Sequence, residues 1–175
     1  LLDPGIFPEG LITLNNKVLT IEPAGGPGTS TIELSSGGEL FDLKNGSEIT
    51  LTDLTIDLSA IGRLADLRSG SSITVNGSIV FNMNAPTIGN KGGGIKAQDS
   101  TVVLNNTSLE GATTGISNGG LIYLIRSSLT MNSGELRLGF ATEGGAITGE
   151  QDSTIDLEFV LAQSNLATDG SVVWM

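Results

Sequence analysis

No cysteine and no histidine occur in this 175-residue chain. Without thiols there are no disulfides, no thiolate metal sites and no cysteine nucleophile. Without imidazole there is no Ser-His-Asp triad, no histidine general base and no histidine-ligated zinc. Aromatic residues are scarce at 4%, with one Trp and one Tyr, so aliphatic side chains must fill the interior. Basic residues are few, 8 against 19 acidic ones, for a net charge of −11. Such a surface repels phosphate backbones, and no Lys/Arg cluster offsets it, so nucleic acid is excluded as an expected partner. No apolar run approaches the roughly 20 residues of a membrane-spanning helix, so no membrane insertion is expected. The opening stretch LLDPGIFPEG has no basic leader region and begins with Leu, which reads as a mature or excised piece of a longer chain.

What is abundant is glycine, at 25 residues, together with Ser, Thr and Asn. Many glycines and hydroxyls between short apolar runs describe a turn-rich β protein rather than a disordered tail. The length suits one domain spanning 1–175, with residues 1–15 as a candidate N-terminal cap.

The glycines recur in order. GGGI at Gly92–Ile95, GGLI at Gly119–Ile122 and GGAI at Gly144–Ile147 repeat one phrase. ELFDLKNGSEITL (Glu39–Leu51) matches RLADLRSGSSITV (Arg63–Val75) at seven of thirteen positions, 24 residues apart. Apolar residues after the glycine turns form one series, Leu40, Leu64, Ile95, Ile122, Ile147 and Val172, with steps of 24, 31, 27, 25 and 25. A second series, Ile49, Ile73, Val102, Leu129 and Ile155, has steps of 24, 29, 27 and 26. Around the second series apolar residues alternate at i and i+2, the strand period. Units this short cannot bury an apolar face alone and must stack on their neighbours. The expected fold is therefore all-β: a right-handed parallel β-helix of six to seven coils, about 30 Å long at about 4.8 Å per coil. Leucine-rich repeats lack their leucine–Asn signature here, and propeller blades need about 40 residues.

Within that solenoid Gly93, Gly120 and Gly145 are expected to serve stacked turns, where backbones approach closely. A phosphate loop is not supported, since no GxxxxGK[ST] or GxGxxG precedes a helix. Asn76, Asn105 and Asn132 each follow a second-series residue by three, which predicts an asparagine stack along one turn. LSAIGRLADL (Leu58–Leu67) reads as a strand from Arg63 onward, with a helical turn near Ser59–Gly62 as the competing reading. The final SVVWM aligns with the first strand of a further coil and carries no cap. It predicts either a continuing chain or end-to-end self-association through that coil, with Trp174 as a core plug or, alternatively, part of an interface.

With these residues in place, the chain resembles the right-handed parallel β-helix superfamily called pectin-lyase-like, from LTIEP through ELFDLKNGSEITLTDLTID. More narrowly, GGAI at Gly144–Ile147 and FNMN at Phe81–Asn84 resemble the GGAI and FxxN repeats of polymorphic outer-membrane proteins. That resemblance implies a bacterial adhesin passenger segment or structural stalk, secreted or held at the cell surface, binding a cell-surface protein or glycan. The superfamily also contains polysaccharide lyases and glycoside hydrolases, which is the alternative reading.

Candidate chemistry is sparse. Arg126 and Asp152 fall near equivalent turns, as do Asp99 and Ser100. Two acidic groups, Asp53 with Asp57 and Asp66, and Asp152 with Asp156 and Glu158, fall on adjacent stretches and would need to converge to hydrolyse a glycoside. Asp156 and Glu158, two apart on one strand, share an outward face and are weak Ca²⁺ candidates. Outward Thr50, Thr74 and Thr130 form a row, interrupted by Asp156, that could order ice. The expectation is a non-catalytic module with no catalytic residues and no cofactor beyond Ca²⁺.

Overall fold

The computed structural model describes residues 1–59, 62–84, 91–113 and 118–175. It is all-β, with no helix among the described residues, and its parallel strands stack as a β-solenoid of about six turns. In chain order the strands are β1 (Gly5–Glu9), β2 (Ile12–Asn15), β3 (Val18–Ile21), β4 (Ser30–Leu34), β5 (Gly38–Lys44) and β6 (Glu48–Thr52). They continue as β7 (Thr55–Asp57), β8 (Gly62–Arg68), β9 (Ser72–Asn76), β10 (Ile79–Phe81), β11 (Ile95–Gln98) and β12 (Thr101–Thr113). The last are β13 (Ile122–Ile125), β14 (Ser128–Glu143), β15 (Ile147–Glu150), β16 (Thr154–Gln163), β17 (Leu166–Asp169) and β18 (Val173–Trp174).

Each turn contributes three legs. One leg is a seven-stranded sheet in the order β18-β15-β13-β11-β8-β5-β2. The other two belong to an eleven-stranded sheet that folds round a corner, because β12, β14 and β16 each run along both legs. Residues 1–15 join this stack: β1 pairs in parallel with β4, and β2 with β5.

The register follows the second apolar series without a slip. Leu19, Ile49, Ile73, Val102, Leu129 and Ile155 form one column of paired residues. Alternation then sends Leu51, Val75, Leu104 and Met131 inward beside them, all fully buried, where each such side chain contributes roughly 1.5–3 kcal/mol. The first series needs a correction. Ile95 pairs with Ala65, not Leu64, and Ala65 with Phe41; at the far end Ile147 pairs with Val173, not Val172. The reason lies in the corner, where two successive residues point inward: Leu40 with Phe41, Leu64 with Ala65, Leu121 with Ile122, and Ala146 with Ile147 are all buried. Either member of each pair satisfies an apolar pattern, so the pattern alone does not select the column. Gly62–Arg68 is a strand; the competing helical turn falls partly on residues 60 and 61, outside the described residues.

Glycine is required at the turns into the seven-stranded sheet. Gly92, Gly119, Gly144 and Gly170 adopt φ of 71°, 67°, 61° and 63°, the left-handed region that L side chains disfavour. The following glycines stack backbone on backbone. Gly93 N–H donates to Gly120 O, Gly120 N–H to Gly144 O, and Gly145 N–H to Gly170 O, each at 3.0 Å. A Cβ on Gly120 would meet Gly145 O, and one on Gly145 would meet Ser171 O.

Candidate functional site on the seven-stranded face

The outer side of the seven-stranded sheet gathers basic residues that are scattered in sequence. Its strands carry Lys44, Arg63, Arg68 and Lys96 against four acids, Glu39, Asp42, Asp66 and Glu150. The strands of the eleven-stranded sheet carry ten acids and one basic residue, Arg137. Parallel register brings the charges together. Asp42 pairs with Asp66, Asp66 with Lys96, and Lys96 with Tyr123.

At the N-terminal half of this face Asp42 is almost fully buried. Lys44 Nζ reaches Asp42 Oδ2 at 2.5 Å, and Arg68 Nη2 reaches Asp42 Oδ1 at 2.7 Å. Burial opposes the Arg68 charge, but Asp66 and Asp42 outweigh it and raise its pKa above the ordinary value. Arg63 is only 2% exposed and donates through Nη1 to Lys91 O at 3.0 Å. Burial dominates there and lowers its pKa despite Asp66 and Glu39. Arg63 Nε, Asp66 Oδ1 and Arg68 Nε are buried without hydrogen-bond partners; the last two lie 3.6 Å apart.

Further along, Lys91, Tyr123 and Glu150 form a closed triangle. Lys91 Nζ donates to Tyr123 Oη at 2.7 Å and to Glu150 Oε1 at 3.0 Å, and Tyr123 Oη donates to Glu150 Oε2 at 2.6 Å. The ammonium also lies 4.5 Å from the Tyr123 ring centroid, close enough for a cation–π attraction. Asn118 Nδ2 donates to Glu143 Oε2 at 2.6 Å and Glu150 Oε1 at 3.2 Å. Burial works against the charges of Lys91 and Glu150, yet their hydrogen bonds with Tyr123, and then with each other, outweigh it. The Lys91 pKa stands above the usual lysine value and the Glu150 pKa below the usual carboxylate value. Burial, then the hydrogen bond to Glu150, pushes the Tyr123 hydroxyl up.

At the adjoining turn Arg126 grips Asp99 with two bonds, Nε to Oδ1 at 2.7 Å and Nη2 to Oδ2 at 2.8 Å. Its Nη1 donates to Gln151 Oε1 at 2.6 Å. These hydrogen bonds hold Asp99 below and Arg126 above their ordinary pKa values. Asp152 shares the shallow groove lined by Arg126, Ser100 and Thr154.

The other sequence-selected residues are dispersed. Asn76, Asn105 and Asn132 sit in one register column on the outer side of β9, β12 and β14. Asn105 Nδ2 donates to Asn76 Oδ1 at 2.8 Å, and Asn132 Nδ2 to Asn105 Oδ1 at 3.0 Å. Asp156 and Glu158 are exposed on β16, in register with Thr130 and Asn132, and no group of three potential metal ligands occurs among the described residues. Asp57 and Asp66 lie in different sheets, so that acidic group does not converge. Thr20, Thr50, Thr74, Val103, Thr130 and Asp156 form one outward column. Trp174 is not a core plug: it pairs with Thr148, which pairs with Tyr123, placing it in the outward column.

Sequence reasoning passed over a second ladder. Ser47, Ser71, Ser100, Ser127 and Ser153 are all buried at the turn leaving the seven-stranded sheet. Their hydroxyls donate to the carbonyls of Lys44, Arg68, Gln98, Ile125 and Glu150 at 2.6–2.8 Å. The signal was available: each serine precedes a second-series residue by two.

No family model matches the chain, and neither any curated protein nor any solved structure matches it.

Proposed function

We propose that this chain is a non-catalytic module of an extracellular or cell-surface protein: a rigid β-helical stalk whose flat outer faces serve adhesion. Its coil pattern resembles that of the pectin-lyase-like superfamily, with GGAI and FxxN phrases like those of polymorphic outer-membrane repeats. The observation that carries the reading is the set of charge pairs joining one turn to another on the seven-stranded face and its adjoining turn, Arg68 to Asp42, Lys91 to Glu150 and Arg126 to Asp99. Lys91, Glu150, Asp99, Arg126 and Arg68 are each held further into their charged forms by their neighbours. A general acid or base works best with a pKa near the operating pH, and these shifts run the other way. Bonds that join neighbouring turns stiffen the rod instead. The test is incubation of the purified chain with acidic and neutral polysaccharides, with and without Ca²⁺. No product is expected; unsaturated ends or new reducing ends would replace this reading with a polysaccharide lyase or hydrolase.

A further inference from the structure

The third leg of the solenoid, formed by β1, β4, β7, β10, the second halves of β12 and β14, the end of β16, and β17, differs from the other two. Its strands carry seven carboxylates and one guanidinium, that of Arg137, which is paired to Glu135 at 3.3 Å. Its outer side is also apolar. Of the eleven exposed large hydrophobic residues among the described residues, six belong to it: Ile6, Ile79, Leu138, Phe140, Leu161 and Leu166. Ile79 is 51% exposed and Leu166 59%.

The two chemistries interleave rather than separate. Ile79, Ser108, Glu135 and Leu161 form one outward column across successive turns. In the next column Glu33 pairs with Asp57, and Asp57 with Phe81. Between Phe81, Glu110 and Leu138 the surface dips into a groove of about 290 Å³. On the second leg exposed large apolar side chains are fewer, Val18 in register with Glu48 and Phe159 next to Glu158, and the seven-stranded face carries balanced charges.

Carboxylates alone on a rod would keep it soluble and would attract any cation. Exposed aliphatic side chains at fixed spacings add a requirement for apolar contact. A partner that satisfies both carries positive charge and an apolar side at once. We propose that this leg docks a cationic amphipathic peptide segment, its basic side chains on Glu33, Asp57 and Glu110 and its apolar side chains over Ile79 and Leu161. The carboxylates supply charge complementarity and speed encounter, and the apolar residues set how long the segment stays. This names a partner class for the adhesive role proposed above and rests on that reading.

The test uses the whole chain and three labelled synthetic peptides, of alternating Lys and Leu, Lys and Ser, and Glu and Leu, read by fluorescence anisotropy at two salt concentrations. The Lys/Leu peptide is expected to bind, more weakly at higher salt. The Lys/Ser peptide should bind at least tenfold more weakly and the Glu/Leu peptide not at all. The double variant I79S/L161S, whose side chains are already exposed and whose folding is checked by circular dichroism, should lose at least tenfold for Lys/Leu. T130A on the second leg should change nothing. Absence of Lys/Leu binding, equal binding of Lys/Ser, or indifference to I79S/L161S overturns the proposal. Any of these would leave the stalk reading intact, whereas polysaccharide cleavage would remove that reading and leave the peptide result standing.

Discussion

Ser127 Oγ accepts the backbone N–H of Ser100 from the neighbouring turn at 3.1 Å while donating to Ile125 O at 2.8 Å. Ser153 Oγ repeats the arrangement for Ser127 N–H at 3.3 Å. At these corners, and where Lys17 N–H donates to Ser47 Oγ, a coil meets its backbone hydrogen-bonding demand through the next coil's hydroxyl. Ser127→Ala leaves the Ser100 amide buried with no acceptor, which costs about 1–3 kcal/mol. Ser128→Ala, one residue on and facing outward, should stay within about 0.5 kcal/mol. Urea unfolding of the two variants separates them; equal midpoints would show that the serine column contributes nothing.

Gly120→Ala should be more damaging than its small volume suggests. Its Cβ would meet the Gly145 carbonyl and the backbone at Gly139 and Phe140, none of which can rotate away. Overpacking of this kind costs about 1–3 kcal/mol. Gly46→Ala is the control: φ there is 72°, but nothing lies within 4 Å of the new Cβ, so only the left-handed penalty of about 1–2 kcal/mol applies. Thermal unfolding of both should rank Gly120→Ala below Gly46→Ala, with the reverse order counting against backbone stacking as the constraint.

These two cases show what the sequence discloses. The second apolar series is legible because its residues alternate with outward Thr, Ser and Asp, so only its own parity, Ile49 with Leu51 and their equivalents, can face inward. The first series misleads at the corner, where Leu64 and Ala65 are both buried. The serine column shares the spacing of the second series, yet serine carries no apolar signal and reads as ordinary turn composition. The charged face is the least legible. Lys91 and Glu150 are 59 positions apart, and their meeting depends on the register of every intervening turn. Trp174 faces outward because Val173 takes the inward position in register with Ile147, a choice that the apolar run Val172–Val173–Trp174 does not itself disclose.

The asparagine column should behave as a coupled unit. Asn105 takes part in two side-chain bonds, to Asn76 and from Asn132, whereas Asn132 shares one with Asn105. At about 0.5–1.5 kcal/mol per bond, Asn105→Ala should destabilise roughly twice as much as Asn132→Ala. In a double-mutant cycle the Asn76/Asn105 pair should show a coupling energy of at least about 0.5 kcal/mol. Additive losses would mean that the three amides merely stand near one another.

The Lys91–Tyr123–Glu150 triangle imposes a pH window with a definite sign. The folded pKa of Glu150 lies below the ordinary value, so its contribution is complete above the unfolded carboxylate value of about 4.3 and is lost as pH falls through the folded pKa. The folded pKa of Lys91 lies above the ordinary value. Its contribution is complete below the unfolded value of about 10.4 and is lost as pH rises through the folded pKa. The Tm difference between the parent chain and Glu150→Gln should therefore be flat from about pH 5.5 to about pH 9 and shrink outside those limits. Lys91→Met should remove the alkaline limb of stability loss tied to this pair while leaving the chain folded. A Tm difference that instead grows as the solution is acidified below pH about 4 would mean that Glu150 is held in its neutral form, and the charged triangle would have to be abandoned.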